Sequence, residues 1–108
     1  ELRPRRDALV AALRDLLPDW EVSVPPGGLS LWVHLPSGNA EEFAELALDH
    51  GVAVVPGPAL SVDDGNRRAV RMAYVEEPAR LEEAVERLAR AWSRFEPAPP
   101  RPSARLLI

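Results

Sequence analysis

The chain has 108 residues, enough to bury one modest hydrophobic core, and we expect a single domain. Its formal net charge of -4 gives no attraction toward the phosphate backbone of a nucleic acid, so this piece is not expected to bind DNA by itself. The absence of cysteine excludes disulfides and thiolate metal sites. No apolar stretch approaches a membrane span and no signal peptide is evident, which predicts a cytoplasmic protein with no membrane partner.

The first third of the chain predicts one helix and two strands. Residues 3–17 open with a proline that suits a first helical turn and then repeat leucine at helical spacing. Residues 20–24 and 29–35 are typical of strands, and a Pro-Pro-Gly-Gly turn separates them. The apolar positions of these elements are Leu9, Leu13, Leu16, Leu17, Leu29, Leu31, Val33 and Leu35.

The rest of the chain predicts two more helices and two more strands. A helix over residues 39–51 has an asparagine N-cap and a glycine stop, and residues 52–55 indicate a short buried strand. A loop over residues 56–66 leads to an alternating strand over residues 69–75. A third helix begins at a proline and keeps its apolar period over residues 78–92.

This order of helix, strand, strand, helix, strand, strand, helix favours an α+β fold, in which a small, mainly antiparallel sheet packs against helices. We assign residues 1–95 to this domain. Residues 96–108 form a proline-rich tail that we expect to be extended or disordered.

Arg71 is the sharpest candidate for a binding residue. Val70, Met72 and Tyr74 share one face of its strand, whereas Arg71 shares the other face with two alanines, which would leave its guanidinium accessible. The planar guanidinium donates two parallel hydrogen bonds to a carboxylate. Spacing alone leaves a second interpretation open, and favours it: an arginine on a solvated strand face. His34 and His50 are the only histidines, and their spacing indicates no metal site.

Two longer segments resemble a known family. PPGGLSLWVHLP, over residues 25–36, and HGVAVVPGPALSVDDGNRRAVRMAYV, over residues 50–75, are similar to the C-terminal small domain of fold-type-I aminotransferases that depend on pyridoxal phosphate (PLP). Within that group they most resemble the version that ends MocR-type transcriptional regulators of the GntR family. The resemblance extends from the first predicted helix to Trp92, and the proline-rich tail falls outside it.

The resemblance implies roles for particular residues. The run Arg71-Met72-Ala73-Tyr74 matches the family strand whose arginine binds the α-carboxylate of the substrate, so Arg71 is the expected carboxylate-binding residue. Two other stretches match segments that line the site, although Leu60 stands where the family usually has an aromatic residue. No catalytic, cofactor-binding or metal-binding residue is expected in this piece. The expected site-lining residues are Gly28, Leu29, Ser30, Pro56 and Gly57.

The resemblance also implies what accompanies this piece in a longer parent protein. A large domain would carry PLP on a lysine, and an N-terminal winged-helix domain would bind DNA. An amino-acid-like effector would bind between the large domain and this one. The chain begins at Glu1 and its 13 basic residues are all arginine, so we expect a fragment that holds no PLP covalently. Another candidate partner is a second copy of the chain, because apolar surface would be uncovered.

Three functions remain open at this point. The leading interpretation is an effector-binding subdomain of a MocR-type regulator, indicated by the Leu29-Ser30 pair after the two glycines, which is more typical of that branch. The second is the small domain of a catalytic class I/II aminotransferase. The third is a free-standing α+β interaction module. Fold class by itself does not separate them.

Overall fold

The computed structural model describes residues 2–25, 28–57 and 67–96, and there it contains the three helices and four strands expected from the sequence, in the expected order. The α+β fold class is therefore confirmed. The proline-rich tail beyond residue 96 lies outside the described residues. The elements are α1 (Arg3–Leu16), β1 (Glu21–Ser23), β2 (Ser30–His34), α2 (Ala40–Asp49), β3 (Val55–Pro56), β4 (Ala69–Ala73) and α3 (Pro78–Arg94).

The four strands form one antiparallel sheet in the order β1-β2-β4-β3. The fourth strand in sequence is therefore central, with β2 on one side and β3 on the other. In this register Trp32 of β2 and Val55 of β3 are both the partners of Arg71 in β4. Because partners in an antiparallel pair point to the same face, these three side chains form a row across the sheet.

The hydrophobic core lies on one face of the sheet, where residues of all three helices join it. The strands contribute the alternate positions Leu31, Val33, Val70, Met72 and Tyr74, which are all buried. On the opposite face every side chain except that of Ala69 is half-buried or exposed. The helices contribute the buried residues Leu9, Leu13, Ala40, Phe43, Ala47, Leu81, Val85, Leu88 and Ala91.

Four aromatic rings join α2, α3 and the segment before β1. Phe43 meets Trp20, Trp92 and Phe95 edge to face, with ring centroids 5.3, 5.6 and 5.4 Å apart. Such pairs each add about 0.5–1.5 kcal/mol beyond the apolar area that they bury. The indole Nε1 of Trp20 is buried with no acceptor among the described residues, so this cluster carries the cost of one unpaired donor.

Both ends of α2 follow the signals in the sequence. The Asn39 side-chain oxygen accepts hydrogen bonds from the backbone N–H groups of Glu41 and Glu42, at 2.7 and 3.3 Å. At the other end Gly51 has a φ of 85°, which L-residues with a side chain rarely adopt. A Cβ at Gly51 would also meet the guanidinium of Arg87.

Two apolar residues of the predicted elements are exposed, and one expected strand differs in its bounds and burial. Leu16 is 41% exposed because it lies at the edge of the contact between α1 and α3, beside the exposed Glu82 and Glu86. Leu29 is 50% exposed and precedes β2 in the chain. The strand expected over residues 52–55 is instead Val55–Pro56 and is only half-buried, since pairing with β4 begins at Val55. None of the described helices is both long and apolar enough to cross a membrane.

Leu13 and Leu16 provide a matched test of this core. Replacing Leu13, which is 0% exposed, by alanine should lower the free energy of unfolding by about 2–5 kcal/mol, because it removes buried methyl groups and leaves a cavity. The same replacement at Leu16 should change it by less than about 1 kcal/mol, because much of that side chain already meets water. Urea denaturation measures both. Equal losses for the two variants would contradict the burial that the structure assigns.

Candidate functional site

Arg71 lies in the middle of the central strand and points away from the helices. The residues before and after it, Val70 and Met72, are buried in the core, so strand alternation places Arg71 on the opposite face. Its side chain is half-buried, and it forms no hydrogen bond or ion pair with any other residue that the structure describes. A guanidinium without a protein partner keeps its donors available to a ligand.

The neighbours of Arg71 leave room along the strand and form walls to either side. Ala69 and Ala73 precede and follow it on the same face, and neither side chain extends beyond a methyl group. Trp32 and Val55 are its partners on the two adjoining strands, where side chains stand about 4.5–5.5 Å apart at Cβ. We call the surface over Ala69, Arg71 and Ala73, with Trp32 on one side and Val55 on the other, the trough. Val55 and Trp32 were not predicted as neighbours of Arg71, because only the register of the paired strands reveals them.

The glycine turn before β2 lies at the same end of the sheet as the last residues of β4. Ser30 pairs with Ala73 and shares a face with Arg71, which makes it a diagonal neighbour at about 7–8 Å. Gly28 is exposed and has a φ of 86°, which requires glycine. Leu29 lies between them with an exposed side chain. Of the expected site-lining residues in this turn, the register places Ser30 near Arg71, and Gly28 and Leu29 precede it in the chain.

Tyr74 fastens this turn to β4. Its backbone N–H donates to the carbonyl oxygen of Leu29 at 3.0 Å, and its hydroxyl donates to the carbonyl oxygen of Gly28 at 2.8 Å. The ring itself is buried in the core. From the sequence, Tyr74 was expected only to share a strand face with Val70 and Met72 and to end the run that begins at Arg71. The hydroxyl of a buried tyrosine is usually hydrogen-bonded, and this general rule was the indication in the sequence that the Tyr74 hydroxyl would have a partner.

Strand β3 flanks Arg71 on the side opposite β2. Val55, not Pro56, is the partner of Arg71, whereas Pro56 pairs with Val70 and so shares the face of the core. Pro56 is half-buried and Gly57 is buried. The register therefore turns Pro56 toward the core face and away from Arg71, so Val55, not the expected Pro56, stands beside the guanidinium-bearing residue. Leu60 and the remainder of this loop lie outside the described residues.

Other candidate residues lie away from the trough. Arg67 and Arg68 are exposed, and the guanidinium of Arg68 donates to the carbonyl oxygen of Pro36 at 3.1 Å, at the end of the sheet opposite the glycine turn. The Nδ1 atom of His50 lies 3.0 Å from the carbonyl oxygen of Leu46. Within residues 2–25, 28–57 and 67–96 no group of acidic or histidine side chains is arranged to hold a metal ion.

A separate cavity of about 310 Å³ lies between α3 and residues 51–54. Its lining includes the apolar residues Val52, Val54 and Leu81. Charged residues of α3, among them Arg80 and Arg87, stand at its rim. It contains none of the expected site residues, although Ala73, which follows Arg71 on the open face, also lines it.

The residues present do not fit PLP as a covalently held group. A Schiff base to the cofactor needs a lysine amine, and all 13 basic residues of the sequence are arginine. The trough supplies one guanidinium, small side chains and two apolar walls. This arrangement can bind and orient a carboxylate.

Comparisons with known proteins agree with the fold and reach most of the chain. Residues 1–88 match the family described as aminotransferase class I and II. The chain is 38% identical to aromatic-amino-acid aminotransferase 1 of Thermococcus litoralis over 93 residues, which is 81% of this chain and 22% of that protein. It is 33% identical to the 2-aminoadipate transaminase of Thermus thermophilus, over 82% of this chain and 23% of that protein.

Solved structures give the same result. The α-aminoadipate aminotransferase LysN of Thermus thermophilus, complexed with N-(5'-phosphopyridoxyl)-L-leucine, superimposes with a TM-score of 0.77 at 30% identity. That match covers 85% of this chain and 24% of LysN. The kynurenine aminotransferase of Pyrococcus horikoshii gives a TM-score of 0.76 at 32% identity, over 85% of this chain and 24% of that one. The chain therefore spans about a quarter of the length of the relatives that it matches.

The missing lysine leads to a prediction about cofactor binding. When the chain is incubated with PLP and treated with borohydride, we expect no covalent phosphopyridoxyl adduct at any side chain, because the amine that would form the Schiff base is absent. Absorbance and intact mass measure this. The backbone amine at the chain's start is a separate target, so it should be blocked first; a side-chain adduct after blocking would contradict the prediction.

Proposed function

The chain belongs to the class I and II aminotransferase family, and we propose that it acts as the small domain of a PLP-dependent aminotransferase, in which Arg71 binds the carboxylate of the amino-acid substrate. PLP is the cofactor of this family. The relatives named above are aminotransferases, and this favours an enzyme over the regulator that the Leu29-Ser30 pair indicated.

One observation carries the proposed role of Arg71: its half-buried guanidinium has no partner among the described residues and lies between small side chains on the open face of the sheet. An arginine that only stabilised the fold would be expected to pair with a carboxylate or a carbonyl group. A ligand carboxylate can accept two parallel hydrogen bonds from the free guanidinium. Those bonds fix both the position of the ligand and the direction in which it extends.

The chain's own residues would then bind and orient, and other parts of the protein would carry out the chemistry. When bound, PLP supplies the electron sink for reactions at the α-carbon of an amino acid. Arg71 would hold the carboxylate on one side of that carbon. Trp32 and Val55 would exclude water from the sides of the guanidinium, which strengthens charge-assisted bonds by lowering the local dielectric constant.

The large PLP-binding domain of the parent is the proposed partner of the open sheet face. Exposed apolar side chains cluster where that face meets the glycine turn: Leu29 is 50% exposed and Val75 is 49% exposed. Closure of this domain over a bound amino acid would cover them and would bring Arg71 to the ligand. Apolar side chains exposed beside a polar site are typical of surfaces that become buried between domains.

A regulator of the MocR type stands as the second candidate, and the sequence Gly27-Gly28-Leu29-Ser30 is the observation that favours it. In that case the ligand of Arg71 would be an amino-acid-like effector, and a winged-helix domain in the parent would bind DNA. Both candidates give Arg71 the same ligand chemistry. The segment of the parent gene that precedes this domain distinguishes them: a winged-helix sequence there would favour the regulator.

The central prediction concerns Arg71 in the full-length protein. Arg71→Lys should weaken binding of an L-amino acid by about ten- to hundredfold, equivalent to about 1.5–3 kcal/mol, because a single ammonium group does not reproduce two parallel guanidinium bonds. The affinity for a matched amine without a carboxylate should stay unchanged. Titration calorimetry measures both ligands. Arg68→Lys is the control, since Arg68 is exposed at the far end of the sheet.

A further prediction concerns the uncovered surface of the isolated chain. We expect it to self-associate as its concentration rises, because Leu29 and its apolar neighbours are exposed in the absence of the large domain. Leu29→Asp should reduce the association, whereas Leu48→Asp, at a 63% exposed position on α2, should leave it unchanged. Light scattering over a concentration series decides between them. A chain that stays monomeric at high concentration would overturn this expectation.

A further inference from the structure

We propose that Tyr74 is a positioning residue for the ligand site: its hydroxyl holds the glycine turn at a fixed place relative to Arg71, so that both reach the same ligand. This inference rests on the proposed function of Arg71 and extends it to a residue that does not itself touch the ligand. The glycine turn here means Gly28 and Leu29 together with Ser30, the first residue of β2.

Two hydrogen bonds from one residue fasten two consecutive carbonyl groups of the turn. The hydroxyl of Tyr74 donates to Gly28 at 2.8 Å, and the backbone N–H donates to Leu29 at 3.0 Å. The Tyr74 side chain is only 4% exposed, so its ring is fixed by the core on one side while its hydroxyl reaches the turn on the other. A buried ring has few rotamers available, which gives the hydroxyl a defined position.

Packing contributes little to holding the turn at Gly28. A Cβ built at this residue would meet no atom within 4 Å, so open space surrounds it. The side chain of Leu29 is half in solvent. With so few contacts, the position of the turn depends on the two hydrogen bonds that it accepts from Tyr74, the residue directly after β4. Removing the hydroxyl bond should therefore release Gly28 while β2 and β4 stay paired.

Tyr74 directly follows β4, three residues after Arg71, and this links the turn to the guanidinium. Arg71 points to the open face, whereas the Tyr74 ring points to the core. Ser30 pairs with Ala73, and this pair lies between Arg71 and the hydrogen bond from the Tyr74 hydroxyl to Gly28. The backbone of β4 is held by strands on both sides at Arg71, so it forms a rigid connection between the two ends.

The test is Tyr74→Phe in the full-length protein, because this change removes the hydroxyl and keeps the ring and both backbone bonds. L-phenylalanine and phenethylamine serve as probes with and without a carboxylate. We expect the Kd of both probes to rise by about two- to tenfold, the loss of one hydrogen bond, since the turn approaches the ligand whether or not a carboxylate is present. Amide hydrogen exchange at Gly28 to Ser30 should become faster.

The control is Asn39→Ala, which removes a helix-capping oxygen at the opposite end of the sheet. It should lower thermal stability to a similar extent as Tyr74→Phe but leave both Kd values unchanged. If the Kd values rose in both variants in proportion to the loss of thermal stability, the role of Tyr74 would be merely structural and the proposal would be overturned. Unchanged Kd values in Tyr74→Phe would overturn it as well.

Arg71→Lys, measured with the same two probes, separates this proposal from the proposed function. If the Arg71 variant loses affinity for L-phenylalanine alone, Arg71 binds the carboxylate, and the Tyr74 result is then judged on its own. If the Arg71 variant binds both probes normally while Tyr74→Phe weakens both, the carboxylate role is wrong and the positioning of the turn stands.

Discussion

The register of β4 is the constraint on which the site depends. Val70, Met72 and Tyr74 are buried on one face of this strand, and together they fix which way Arg71 points. Because side chains alternate in a strand, a slip of one residue would place the Arg71 guanidinium in the core and expose three large apolar side chains. The burial of an unpaired charge is expensive, so the core itself holds the guanidinium on the open face.

The same register assembles the rest of the trough from distant parts of the sequence. β4 is central, so its two neighbours bring Trp32 and Val55 to either side of Arg71. Tyr74 then fastens the turn that precedes β2. A strand at the edge of the sheet would have one wall at most. The position of β4 between two strands is thus what turns a single arginine into a bounded site.

Both candidate functions use the trough in the same way. An aminotransferase would bind the carboxylate of its substrate there, and a regulator would bind the carboxylate of an effector. The chain covers about a quarter of the relatives that it matches, and the fold of this part alone does not distinguish the two functions. The wide open face of the sheet is consistent with either, since in both cases the large domain would close against it.

The sequence by itself determined the order of elements, the buried face of β4 and the two ends of α2, because alternation, helical period and capping are local patterns. Its motifs also identified Arg71 and the glycine turn as candidates, and placed the chain in its family. It did not determine that Leu16 and Leu29 are exposed, because exposure depends on which other elements pack against a residue. Only the tertiary structure decided that Val55, not Pro56, stands beside Arg71 and that Tyr74 holds Gly28, since strand register and a bond across 46 residues are set by packing and not by local sequence.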